Sequence, residues 1–219
     1  MTKTKRSDVD LLIFDLDGTL LDTALYIVLN YLHLFEKYRV KMPTLTEMVY
    51  FSGPPLTTIL PKYFPDVPLP TLLEEFEAFS LLNANRYSSL YEGEKDVLRE
   101  LKEAGYYLAV LTSKRRRPAE DNLTHFGIRK FFDAILCLDE CPRPKPDPAG
   151  VHILLDRLDV PPERTFIIGD SKTDIECGRN AGTNTGLVTF GLKKTDDILA
   201  DERYGSYQDI ERSFIHERQ

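Results

Sequence analysis

Two aspartates separated by one residue follow an apolar run at 11–14, in the stretch Asp15-Leu16-Asp17-Gly18-Thr19-Leu20. A lone aspartate there would cap the next helix or sit in solvent, but carboxylates delivered together with other polar groups to one sheet edge form a ligand site. Three further segments make that delivery if the apolar runs before or beside them are strands. Leu111 is followed by Thr112-Ser113-Lys114 and Ile168 by Gly169-Asp170-Ser171-Lys172-Thr173-Asp174. In Pro142-Arg143-Pro144-Lys145-Pro146-Asp147-Pro148, alternating prolines stiffen a loop that carries a single lysine. The strand-end carboxylates Asp15, Asp17 and Asp170 repel one another at close range, and a divalent cation resolves that repulsion. An oxygen-only donor set without His or Cys suits Mg²⁺. Lys145 and the Thr112 or Ser113 hydroxyl add the counter-charge and hydrogen-bond donors that a phosphoryl group needs. In such a site one aspartate can attack phosphorus to form an aspartyl-phosphate. The other can protonate the leaving oxygen and then deprotonate a water.

The elements that must position these residues are legible as short apolar runs at 10–14, 106–111, 134–138, 165–168 and 186–190. Their hydrophobicity is continuous rather than alternating, as expected for strands of a parallel sheet covered on both faces. Helical patterns lie between them. Residues 95–104 put Val97, Leu98 and Leu101 on one face before Gly105, and 118–126 end before Gly127, each glycine suiting a C-terminal cap. The fold class expected is therefore α/β, a doubly wound parallel sheet built from 1–21 and 92–219. Residues 22–91 read as a helical insertion, with no convincing strand. Its first helix carries Leu25, Val28, Leu29, Leu32 and Phe35 at the spacing of a buried stripe, and Leu72, Leu73, Phe76, Phe79 and Leu82 repeat the theme. Prolines 43, 54, 55, 61, 65, 68 and 70 predict short helices broken by rigid turns. Proline after Lys145 admits a cis peptide bond at a cost of only about 0.5–1 kcal/mol, a turn that aims the ammonium inward.

In this order and spacing the four polar segments resemble the motifs of the haloacid dehalogenase superfamily of phosphatases, over nearly the whole chain. The resemblance implies a Rossmann-like core with residues 22–91 as its helical cap, Asp15 as nucleophile and Asp17 as general acid and base. It further implies that the Asp17 backbone carbonyl and Asp170 ligate Mg²⁺ and that Thr112 and the Ser113 backbone hold phosphate oxygens. Lys145 would neutralise the nucleophile and the transferring group, and Asp174 would act through a water or by orienting Lys145. Dehalogenases of the superfamily lack the second aspartate, so Asp17 favours phosphoester chemistry. Within the superfamily the chain resembles the phosphoglycolate phosphatase-like branch, including pyrophosphatases of the PpaX type, which share a segment like Gly53-Pro54-Pro55-Leu56. It departs in reading Thr-Ser-Lys where close relatives commonly read Thr-Asn-Lys, and in Arg115–Arg117 beside it, which suit either a solvated helix entrance or an electropositive rim. A lid of about 70 residues, hinged near Thr23 and Tyr91, would exclude water and favour a small phosphorylated metabolite. Tyr50, Phe51, Lys62, Arg86 and Tyr87 are the insertion residues that could face the site, and the scattered His33, His125, His152 and His216 are expected to be non-catalytic.

Composition narrows the alternatives. At 219 residues, 42% hydrophobic and 29% charged, the chain is an ordinary globular protein with length for one to two domains. Its net charge of −7 disfavours nucleic acid as a partner. No apolar run approaches the ~18 residues of a membrane span, and the basic start precedes too short an apolar stretch for an export signal. Cys137, Cys141 and Cys177 suit free thiols, and together these features predict a cytoplasmic location. A receiver-like regulatory module would also combine an acceptor aspartate, Mg²⁺ ligands, Thr and Lys. Its acceptor, however, follows the third strand of a domain about half this length. A phosphosugar mutase would use the same core and differ by retaining the phosphoryl group.

Overall fold

The structure, a computed structural model, describes residues 3–51 and 54–217. In chain order, β1 (Lys3–Lys5) and β2 (Leu11–Phe14) lead to the two-residue β3 (Leu21–Asp22). Four helices follow: α1 (Ala24–Tyr38), α2 (Leu45–Val49), α3 (Leu56–Tyr63) and α4 (Leu69–Asn83). A second short strand, β4 (Ser89–Leu90), then opens the alternation α5 (Glu94–Glu103), β5 (Tyr107–Leu111), α6 (Arg116–His125), β6 (Ala134–Leu136) and α7 (Ala149–Leu158). It continues through β7 (Thr165–Gly169), α8 (Lys172–Ala181), β8 (Asn184–Val188) and β9 (Glu202–Tyr204), with α9 (Tyr207–Phe214) and β10 (Ile215–Glu217) last.

Six of these strands make one parallel sheet in the order β6-β5-β2-β7-β8-β9. The continuous apolar runs are explained by the two covered faces. Leu12, Phe14, Leu108, Val110 and Ile168 join one core with α5, α6 and α9, while Leu11, Ile13, Ala109, Leu111 and Ile167 join another with α7 and α8. Each such fully buried leucine, isoleucine, valine or phenylalanine contributes about 1.5–3 kcal/mol of transfer free energy. Both predicted cap glycines adopt left-handed backbone, Gly105 at φ +91° and Gly127 at φ +68°. The sixth strand, β9, escapes sequence reading because Glu202-Arg203-Tyr204 has no apolar run and sits at the sheet edge. Tyr106 is buried, its hydroxyl donating to the Phe214 carbonyl at 2.7 Å, whereas Tyr107 at the first position of β5 is 45% exposed and contributes less packing than its neighbour.

The helices α1 to α4 enclose a core of their own, centred on Tyr31, Phe35, Phe51, Leu60, Phe64 and Leu72. Several of its aromatic rings meet edge-on, as Tyr31 does with Phe51 at 4.6 Å between centroids, while Phe35 and Phe64 are tilted. The buried face of α1 differs from the expected one. Tyr26, Ile27, Asn30, Tyr31, Leu34 and Phe35 point inward, and Leu25 is 57% exposed. The helix has two apolar arcs. The aromatic one is buried because Asn30 finds partners inside, donating to the Tyr26 carbonyl and accepting from Ser80 on α4. Val28 and Leu32 pack at its margin. On α4, Leu72 is fully buried and Leu73 and Phe76 are half-buried, but Leu82 lies beyond the contact with α1 and is 81% exposed. The insertion is also not strand-free at its base. Leu21 pairs with Leu90 and Asp22 with Ser89, an antiparallel ladder too short to leave a periodicity.

Where the chain re-enters the sheet domain, Glu94 occupies the first turn of α5 and is completely buried. Its Oε2 accepts from the Tyr91 N–H at 3.2 Å and its Oε1 has no partner among the described residues. Burial pushes this carboxyl up to about 9, against an ordinary value of 4.5. A raised carboxyl binds its proton in the folded state where the unfolded chain has lost it. Its contribution is complete below about pH 4.5 and declines towards pH 9 by about 1.4 kcal/mol per unit. Glu94→Gln, which keeps the shape and cannot ionise, is expected to remove that slope from urea-unfolding free energies measured between pH 5 and 9. Parallel pH dependences in the two proteins would contradict the assignment.

Candidate active site

Because β2 lies between β5 and β7 with Phe14 in register with Val110 and Ile168, the residues that follow these three strands emerge side by side. Asp15 extends the ladder by one bond, its N–H donating to the Ile168 carbonyl at 2.9 Å, and Thr112 does the same to Leu136 at 3.1 Å. Into this edge the Pro-rich loop projects Lys145, across a cis Lys145–Pro146 bond. The buried ammonium donates to Asp15 Oδ1 at 2.7 Å, Asp174 Oδ1 at 2.6 Å and the Leu111 carbonyl at 3.2 Å. Asp174 is aimed by the start of its own helix. In a capping box on α8, its Oδ2 accepts from the Ser171 N–H at 3.1 Å and hydroxyl at 2.5 Å. Thr112, Ser113 and Lys145 line one small cavity beside Asp147.

Asp15, Asp170 and Asp174 are all buried, and each brings a carboxylate oxygen within 4.8 Å of the others. Burial pushes the Asp15 carboxyl up to about 7 even with Lys145 beside it, since Asp174 and Asp170 add like charge. Asp170 is likewise raised by burial, against the pull of Lys193. Burial opposes ionisation of Asp174 too, but Lys145 and the Ser171 hydroxyl outweigh it and hold that carboxyl below its ordinary value. For Lys145 the two carboxylates outweigh burial and keep the ammonium well above the usual lysine range. Asp15 and Asp174 thus share one buried cation, Lys145, while Asp170 is paired with Lys193.

The sequence matches a known family. Its model, haloacid dehalogenase-like hydrolase, matches residues 12–188, from within β2 to the last residue of β8. The chain belongs to that family. The pyrophosphatase PpaX of Bacillus velezensis is 34% identical over 197 residues, 89% of each chain, and the pyrophosphatase PpaX of Halalkalibacterium halodurans is 31% identical over 191 residues, 87% of this chain and 88% of that protein. Among solved structures, a predicted phosphoglycolate phosphatase from Haemophilus somnus superposes with a TM-score of 0.87 at 23% identity, covering 94% of this chain and 98% of its own. CbbY from Rhodobacter sphaeroides, solved in complex with phosphate, superposes at 0.78 with 24% identity, covering 92% and 96%. At these identities the structural likenesses establish the fold.

Within this hydrolase of the haloacid dehalogenase family, two lysines that sequence reasoning left without roles are part of the site. Lys114 is buried, and its ammonium donates to Asp17 Oδ1 at 2.7 Å and Asn122 Oδ1 at 2.8 Å. Burial opposes its charge, but Asp17 and the Tyr26 ring region hold its pKa above the ordinary value. Lys193, in the loop after β8, lies 2.7 Å from Asp170 Oδ2 and falls outside the matched span. Nothing in its surroundings in sequence marks it, whereas Lys114 directly follows the Thr112-Ser113 pair. The carboxylate of Asp17 is consequently turned to Lys114 and lies outside the three-carboxylate cluster. Asp170 Oδ1 is buried with no partner among the described residues, and the cluster's all-oxygen donor set fits a hard divalent cation.

Other sequence-stressed residues have ordinary surroundings. Arg116 pairs with Glu120 and Glu140, Arg143 pairs with Asp147 at 2.7 Å, and His33 stacks on Phe79. Tyr50 reaches the Lys194 N–H at 3.1 Å, Phe51 belongs to the helical core, and Lys62 and Arg86 lie over the rings of Tyr63 and Tyr87. Of the Gly-Pro-Pro-Leu segment, Gly53 lies outside the described residues. Gly18 has a clear reason. It sits at φ +87°, and a Cβ there would approach Asp170 Oδ2 to 2.1 Å. Gly18→Ala is expected to destabilise the fold by about 1–3 kcal/mol, measured by urea unfolding. Unchanged stability would show that the loop relaxes freely.

Proposed function

We propose that this hydrolase removes phosphate from a small phosphorylated metabolite through an aspartyl-phosphate on Asp15. The observation that carries the reading is the position of Asp15 at the carboxyl end of β2, an interior strand between β5 and β7, bonded to Lys145 at 2.7 Å. Its neighbour but one, Asp17, is held at 2.7 Å by Lys114. The Asp15 carboxylate attacks phosphorus and the P–O bond to the leaving group breaks, with Asp17 giving the departing oxygen its proton. Asp17 then takes a proton from water as that water attacks the phosphorus of the aspartyl-phosphate. Inorganic phosphate leaves and Asp15 is regenerated. Each proton transfer by a positioned carboxyl is typically worth about 10²–10⁴ in rate. Lys145 offsets charge on Asp15 and on the transferring group, while Thr112 and the Ser113 backbone supply donors to the phosphoryl oxygens.

Asp15, Asp170 and the Asp17 backbone carbonyl would hold Mg²⁺, with Asp174 supporting them. The ion would neutralise phosphoryl charge during transfer. Asp174 orients Lys145 from its capping box on α8. Residues 22–91 act as a cap, joined to the core at the β3–β4 ladder, and its closure excludes water from the reacting groups. The PpaX relatives support a phosphoanhydride or phosphoester substrate.

The test is phosphate release with Mg²⁺ from pyrophosphate, phosphoglycolate, sugar phosphates, nucleoside monophosphates and simple alkyl and aryl phosphates. At least one is expected to be hydrolysed with kcat/KM of about 10⁴ M⁻¹s⁻¹ or more. No phosphate release from any of them by the folded, Mg²⁺-binding protein would contradict the reading.

A further inference from the structure

A cleft of about 200 Å³ begins at Asp17 and Lys114 and rises along α1 and α4. Its walls are mainly apolar, formed by Ile27, Tyr31, Phe51, Leu56, Leu73 and Phe76. The charged groups that line it are Asp17, Lys114, Arg115 and Glu77, two of each sign. Lys114 is already committed, with Asp17 and Asn122 as its acceptors. Of the two cations only Arg115, an exposed residue, is uncommitted, and Glu77 lines the same cleft, so an anionic leaving group seated among the apolar side chains would lose its hydration without equivalent replacement. An apolar group gains from the same walls. The volume is adequate, since a dry protein cavity of about 150 Å³ accommodates benzene.

Position gives the cleft its meaning. Asp17 protonates the departing oxygen under the reading above, so whatever is attached to that oxygen extends from Asp17, and the cleft extends from Asp17. We propose that the substrate is a phosphomonoester whose leaving group is an uncharged, apolar alcohol of the size of a six-carbon chain or a single aromatic ring, seated in this cleft. The assignment rests on the phosphatase reading. It differs from what the names of the relatives imply, because pyrophosphate and phosphoglycolate have small, anionic leaving groups.

The experiment separates binding from turnover. Methyl-, butyl- and hexylphosphonate carry the phosphoryl dianion without a scissile P–O–C bond, and their affinities for the Mg²⁺-loaded full chain are measured by calorimetry. Affinity is expected to rise roughly fourfold per methylene, at least several hundredfold from methyl to hexyl. Phosphonoacetate and methylenediphosphonate should bind more weakly than hexylphosphonate. Leu81, also on the cleft wall, is 44% exposed, so Leu81→Glu can be made without disturbing a core. That variant should flatten the series, and Phe76→Asp should flatten it further. A flat series in the unaltered protein, or tighter binding of the two anionic phosphonates, overturns the leaving-group assignment alone. Absence of phosphate release from hexyl phosphate and every other ester overturns the phosphatase reading and the substrate assignment with it.

Discussion

Replacing Asp15 by Asn is expected to lower kcat/KM by about 10⁴-fold or more while leaving the fold intact. The amide has nearly the shape of the carboxylate but is not a nucleophile towards phosphorus, so the loss falls on the chemical step. Stability should not fall with it. Burial already makes the Asp15 charge costly, pushing its carboxyl up to about 7, and Asp170 and Asp174 repel it. Lys145 keeps its bond to Asp174 at 2.6 Å in the variant, so no buried cation is stranded. The expected result is an inactive protein with unchanged or raised Tm. Activity within tenfold of the parent would remove Asp15 as the nucleophile.

Lys145→Met should show the opposite combination, losing stability as well as activity. Lys145 is the cation that directly contacts both Asp15 and Asp174, and its side chain is 7% exposed. Without it the buried carboxylates face one another uncompensated, which typically costs about 3–5 kcal/mol near neutral pH. The pH dependence has a definite sign. Deprived of the ammonium, the carboxyls have folded-state pKa values raised above the ordinary 3.8, so the folded state retains protons that the unfolded chain has released. The destabilisation should therefore be small below about pH 4 and grow as pH rises towards and past 7. Turnover should fall by about 10³-fold or more, as for loss of a group that stabilises developing charge. Lys145→Arg should not restore it, because the planar guanidinium does not fit a pocket shaped for a compact ammonium. Parallel pH–stability profiles for Lys145→Met and the parent would contradict the electrostatic role.

The parts of this molecule that were legible in sequence share one physical property: local, continuous signals. Apolar runs bounded by polar residues located five of the six sheet strands, because strands buried on both faces cannot hide their hydrophobicity. The same logic placed Asp15 and Thr112, which directly follow such runs, and Asp170, which follows one after a single glycine. Strand β9 was not legible, for Glu202 and Arg203 occupy a sheet edge where burial is one-sided. The inward face of α1 was misjudged because Asn30 is buried by a bond to Ser80, 50 positions away, which no window along the helix contains. Lys193 meets Asp170 only through the tertiary path of the loop after β8. Lys114 was in view, next to Thr112 and Ser113, but its partnership with Asp17 spans 97 positions and depends on the parallel register of β2 with β5. The cleft beside Asp17 belongs to the same class of fact, because its walls come from the helical insertion and the β5–α6 loop together.

The most direct test of the central claim is mass spectrometry of protein quenched in acid during turnover with Mg²⁺ and the best substrate from the phosphate-release panel. The account predicts a single phosphoryl group on the peptide containing Asp15, formed within the first turnover, sensitive to hydroxylamine and absent from Asp15→Asn. A phosphoryl group on another residue, or rapid phosphate release without a phosphorylated enzyme and with activity retained in Asp15→Asn, would contradict it.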